Sequence, residues 1–129
     1  MVRNDGPEGT KAKSSITARE RFQLKRDATY ARRKMKVYGL VWVSARNPIT
    51  NIPRYRMVFD NIEAVVVDAG LMSYCTVTVG QQSVQRKYSE EEFAGFGGVH
   101  VAALRGTQHV IAIIEERAKL ALEAMDGPA

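Results

Sequence analysis

The stretch MVFDNIEAVVVDAGLMSYCTVTVGQQSVQRKY, Met57 to Tyr88, leaves this chain few folds to adopt. Short β-branched runs alternate with turn-forming clusters, the pattern of successive antiparallel strands. Tyr55, Met57 and Phe59 alternate with Arg56 and Val58, which predicts a half-buried strand. Asp60-Asn61 reads as a tight turn, with a bulge inside one longer strand as the competing reading. Ile62 to Val67 is the next strand, closed by Asp68-Ala-Gly70. Ser73 to Val79 alternates Cys75, Val77 and Val79 with Tyr74, Thr76 and Thr78. Gly80-Gln81-Gln82 turns the chain into Ser83 to Tyr88, a strand so polar that it belongs at a sheet edge.

Upstream, Val37 to Ser44 (VYGLVWVS) predicts a further strand, apolar on both faces, with Gly39 marking a bulge or a close backbone approach. Arg46 to Arg54 holds two prolines and two asparagines and predicts a loop. Downstream, Ser89-Glu-Glu-Glu92 has the form of a capping box opening a short helix that stops at Gly95. AGFGG (94–98) follows as cap and linker. A glycine-rich loop before a helix can cradle phosphate, but no Gly-Lys-Ser/Thr follows here and no strand leads into it. A second helical segment begins near Val99, and the longest helix is predicted over Gln108 to Met125, with a break or kink near Gly106. Ile111, Ile114, Ala118, Ala121 and Met125 form one stripe of that helix. With Val110, Ile113 and Leu120 beside it, the apolar arc is wide enough to serve the sheet and a second copy of the chain, a homo-oligomer of two or more.

The charge is divided along the chain. The first 36 residues hold eleven basic and four acidic side chains, a net +7, against eight basic and ten acidic in the remainder, a net −2. Such asymmetry points to a polyanionic partner. Residues 1–15 are polar and lack apolar periodicity, so they are expected to be a flexible tail, with the boundary placed at 16. Residues 17–36 predict a basic helical arm. Thr17 and Glu20 form a capping box, and Leu24, Ala28, Ala31 and Met35 make a narrow apolar stripe. Arg19, Arg26 and Arg33 recur every seven residues on another face, widened by Lys25, Arg32 and Lys36.

The expected architecture is therefore α+β: a basic N-terminal helix, a four- to five-stranded antiparallel sheet, and C-terminal helices packed on one face. Residues 37–129 form a single domain. The lone cysteine, Cys75, excludes an internal disulfide and reads as a buried hydrophobe in a reducing compartment. No apolar run approaches the roughly 18 residues that span a bilayer, and no apolar segment near the start resembles a secretory signal. A cytoplasmic protein without membrane contact is the expectation.

Signs of catalysis are missing. His100 and His109 lack Cys, Asp or Glu at metal-ligand spacing, Asp60, Glu63 and Asp68 lack the nearby lysine of a metal-dependent nuclease, and no nucleophile elbow occurs. The expectation is a non-enzymatic protein with no cofactor and no metal. Its leading function is nucleic-acid binding, DNA or RNA. Arg19, Lys25, Arg26, Arg32, Arg33 and Lys34 would meet phosphates, and Arg54 and Arg56 extend the surface; Tyr38 and Trp42 read first as core or interface packing, with a base-stacking platform as the alternative. The rival is a coat- or scaffold-like assembly subunit of a viral or phage particle, its arm and C-terminal helix making contacts between subunits. A mobile-element protein that inhibits or bridges a host protein fits the same features without being predicted by them.

Overall fold

A computed structural model describes residues 16–126. Seven elements follow one another: α1 (Ala18–Tyr38), β1 (Val43–Ser44), β2 (Arg54–Phe59), β3 (Ile62–Asp68), β4 (Met72–Val79), β5 (Gln82–Ser89) and α2 (Gly98–Met125). The strands form one antiparallel sheet in sequence order, β1-β2-β3-β4-β5, each pairing with the next. The class is α+β.

The alternation in the sequence becomes the two faces of this sheet. Met57, Ile62, Ala64, Val66, Cys75 and Val77 are buried beneath α2, whose Ala102, Val110, Ile111 and Ile114 close the core from above. Each large aliphatic side chain buried this way contributes roughly 1.5–3 kcal/mol. Phe59 pairs with Ile62 across a two-residue turn at Asp60-Asn61, where Asp60 takes a left-handed φ of 55°. The tight turn is thus the outcome, not the bulge. β5 is an edge strand, as its polarity predicts, and its residues from Gln82 to Lys87 are exposed.

Three local expectations are corrected. The strand expected over Val37–Ser44 survives only as Val43–Ser44. Gly39 takes a left-handed φ of 68° and ends α1. Its N–H reaches Lys36 O at 3.4 Å, and Leu40 N–H reaches Met35 O at 2.8 Å. That paired closure is the Schellman motif, so Val37 and Tyr38 belong to the last helical turn. β-Propensity was overruled by a helix end that only glycine closes without strain.

The short helix expected after Ser89 is a set of turns. Phe93 N–H bonds back to Ser89 O at 3.2 Å and Glu92 N–H to Ser89 Oγ at 3.3 Å, but Glu90 is drawn elsewhere. Glu90 Oε1 accepts from Gly98 N–H at 2.8 Å, capping α2 rather than a helix of its own. A carboxylate already occupies the helix N-terminus that a phosphate would use.

Nor is there a break near Gly106. α2 runs unbroken for 28 residues, so one C-terminal helix replaces the expected several. Gly106 is buried at the closest approach of α2 to β4, where a Cβ would lie 2.6 Å from Cys75 Sγ. The glycine seats the helix on the sheet.

Candidate nucleic-acid interface

α1 is held at both ends and along one side. Thr17 Oγ1 accepts from Glu20 N–H at 3.1 Å, while Glu20 Oε1 accepts from Thr17 N–H at 2.7 Å, the reciprocal box that the sequence predicts. Leu24 and Ala31 are buried in a small core with Val101 and Leu104 of α2, joined by Ala28, Phe93 and Phe96. The alanines let the two helices approach closely. The narrow stripe of residues 17–36 thus docks on α2. The tail at 1–15 lies outside the described residues.

Polar ties fix the seam between the helices. Arg105 of α2 donates to Asp27 at 3.3 Å. Lys34 Nζ and Tyr38 Oη both donate to Glu115 Oε2, at 2.5 and 2.9 Å. The bond to Glu115 holds the Lys34 ammonium above its ordinary pKa, and the bond from Lys34, followed by that from Tyr38, holds the Glu115 carboxyl below its own. Lys34 is thereby engaged within the fold. Arg21 turns inward too: a Cβ on Gly95 would meet its guanidinium at 2.7 Å.

Opposite the buried stripe lies a different surface. Arg19, Arg26 and Arg33 are exposed and pair with no carboxylate among the described residues. Seven residues of helix place them about 10.5 Å apart along the axis. Between them stand Phe22, 62% exposed, Tyr30, 57% exposed, and Val37, 72% exposed. The Arg26 guanidinium lies 6.0 Å from the Phe22 ring centre, and Lys34 Nζ lies 5.5 Å from that of Tyr30. Lys25, Arg32 and Lys36 are exposed on the flank of the same helix. Over α1 as a whole, eight basic residues face two acidic ones.

Beside Arg32 a cleft of about 260 Å³ opens between α1 and α2, bordered by Met35, Trp42, Phe96 and His100. Trp42 is half-buried there. Its Nε1 donates to Thr107 Oγ1 at 3.0 Å and its ring stands over Gly106. Trp42 and Tyr38 both pack against the core, the first of the two readings their sequence allows, rather than forming an open stacking platform. Trp42 borders a cleft, and Tyr38 is bonded to Glu115.

Arg54 and Arg56 fall on another side of the molecule. They alternate with Tyr55 and Met57, which join the core, so they point from the sheet face that no described helix covers. Arg56 forms an ion pair with Glu63. Register aligns Arg54, Val67, Tyr74 and Lys87 across that open face. The sheet and α2 separate these residues from α1, so the expected surface does not assemble as one patch. The expected interface stripe of α2 divides as well. Ile111 and Ile114 are buried against the sheet, whereas Ala118, Ala121 and Met125 are exposed.

The exposed aromatics, Phe22 and Tyr30, were missed by the sequence reading. At 100° per residue they fall with the three arginines and away from Leu24 and Ala31, so the signal was present in the helical period. Among the described residues no three His, Cys, Asp or Glu side chains gather as metal ligands, and no helix is long and apolar enough to cross a membrane. No protein-family model, curated protein or solved structure matches the chain.

Proposed function

We propose that this protein is a non-enzymatic nucleic-acid-binding protein whose contact surface is the outer face of α1. The observation that carries the reading is the row of exposed Arg19, Arg26 and Arg33, which pair with no carboxylate among the described residues, interleaved with exposed Phe22 and Tyr30. Cations at helical spacing neutralise phosphates, and aromatic rings among them stack on bases. A solvated face that served only solubility would not keep two aromatic rings and Val37 in water. The flank of Lys25, Arg32 and Lys36 extends the cationic surface towards the cleft at Trp42. Arg54 and Arg56 play no part in this contact. A cytoplasmic setting belongs to the same proposal.

The test is fluorescence anisotropy with labelled single- and double-stranded oligonucleotides over a range of salt. If about five phosphates are neutralised, log K falls with log[salt] at a slope of roughly −4 to −5 on duplex. Replacing Arg19, Arg26 and Arg33 together with alanine lowers that slope by about 2.7 for duplex or about 2.1 for single strands. A flat salt response, or a triple variant that binds like the parent, defeats the reading.

A second reading rests on the far end of α2. Twenty-eight helical residues extend about 42 Å, whereas an eight-residue strand extends about 27 Å. Ala118 to Met125 therefore outrun the sheet and are exposed all round, including Leu120 at 54%, Leu122 at 61% and Met125 at 80% exposure. Such an overhang suits helix pairing between copies, as in a coat- or scaffold-like assembly subunit within a particle. Light scattering discriminates: Leu122→Glu with Met125→Glu dissociates an assembly built on this overhang and leaves a monomer unchanged.

A further inference from the structure

α2 crosses the sheet so that the helix-facing side of β5 is left partly bare. Val84 and Arg86 project from that side, because they pair with Val77 and Cys75, which are covered, yet both are exposed. A cleft of about 480 Å³ results, of the size that takes a small molecule. Cys75, Val77 and Val84 supply its apolar surface. Arg86 and Tyr88 border it from β5, and Arg105 and His109 border it from α2.

The fixed charges around this cleft are those of Arg86 and Arg105, and among the described residues no acidic side chain lines it. Arg105 is positioned through one nitrogen only: Nη1 donates to Asp27 at 3.3 Å and to Gln108 at 2.7 Å. Its Nε and Nη2 have no partner among the described residues, and neither has the Arg86 guanidinium. Burial holds the Tyr88 hydroxyl above its ordinary pKa, and the charges of Arg86 and Arg105 oppose that rise. Two guanidiniums that border one cleft from opposite elements, beside aliphatic side chains, match an oxyanion carried on an apolar body.

We propose that this cleft binds a small organic anion. A carboxylate or phosphate-ester head lies between Arg86 and Arg105, and the apolar body rests on Val77 and Val84. The site is independent of α1's outer face and stands whether or not that face binds nucleic acid.

The test is a ¹H–¹⁵N NMR titration of the full chain with benzoate, phenyl phosphate and inorganic phosphate. Saturable shifts at the amides of Val84, Tyr88 and His109 are expected with benzoate or phenyl phosphate, and the tighter of the two identifies the head group. Inorganic phosphate, which lacks the body, is expected to bind at least about tenfold more weakly. Arg86→Ala is expected to weaken the organic probe by at least about tenfold with an unchanged circular dichroism spectrum, because this exposed side chain supports no other described residue. Non-saturating shifts overturn the proposal, as does equal affinity for inorganic phosphate. An Arg86→Ala variant with full affinity overturns it too. Stoichiometric displacement of the probe by an oligonucleotide would do the same, because the cleft would then belong to a nucleic-acid surface.

Discussion

Replacing Gly106 with alanine tests how α2 is seated. In an ordinary helix interior the change stabilises by about 1 kcal/mol, because glycine gives up more backbone freedom on folding. At this position the new methyl would stand 2.6 Å from Cys75 Sγ, against roughly 3.5–4.0 Å for a relaxed contact between carbon atoms. Either α2 lifts or β4 gives way by about 1 Å. Overpacking of that severity costs about 2–3 kcal/mol, which leaves a net loss of about 1–2 kcal/mol. Urea unfolding followed by fluorescence is the assay, since the single tryptophan, Trp42, stands over Gly106 and reports the seam directly. With a slope of about 1.5 kcal/mol/M the midpoint falls by roughly 1 M. In a Cys75→Ala background the clash is gone, and the same substitution becomes neutral or stabilising. The resulting coupling is about 1–3 kcal/mol. A Gly106→Ala protein more stable than its parent would refute the close approach and restore the glycine to a mere helix interruption.

Three further outcomes follow from single contacts. Glu90→Ala removes the side-chain cap on Gly98 N–H, and urea unfolding should register a loss of about 1 kcal/mol. Glu115, held below its ordinary pKa by Lys34 and Tyr38, contributes stability that is present above the ordinary carboxylate range and lost as pH falls through the lower folded value. The stability gap between parent and Glu115→Gln, measured by urea midpoints from pH 6 to pH 3, should therefore close towards acid; a gap that widens there would contradict the sign. Burial pushes the Cys75 thiol up to about 11, so only about one molecule in a thousand carries a thiolate at pH 8. Ellman's reagent should leave the native protein untouched at that pH and titrate one thiol in urea.

Much of the fold was legible along the chain because its contacts are local. Period-two alternation over residues 55–88, broken at Asp60-Asn61, Asp68-Ala-Gly70 and Gly80-Gln81, names four strands, while their order β2-β3-β4-β5 is supplied by the structure. The Thr17–Glu20 box and the Leu24–Ala31 stripe locate α1 for the same reason: the partners lie within one or two turns. The outer face of α1, with Arg19, Arg26 and Arg33, is readable from helical period alone.

What tertiary structure decided turns on partners distant in sequence. VYGLVWVS carries the propensities of a strand, yet Gly39 closes a helix there because Leu24 and Ala31, upstream, are anchored on Val101 and Leu104. Glu90 caps a helix eight residues on, and Gly106 is continuous helix because Cys75 lies beneath it. Tyr38 and Lys34 are withdrawn from any ligand by Glu115, 77 and 81 residues away. The cleft between Arg86 and Arg105 exists only where α2 leaves β5 uncovered. A sequence states the period and the caps of each element by itself. It does not state which elements press together, and burial and ion pairing are set by that contact.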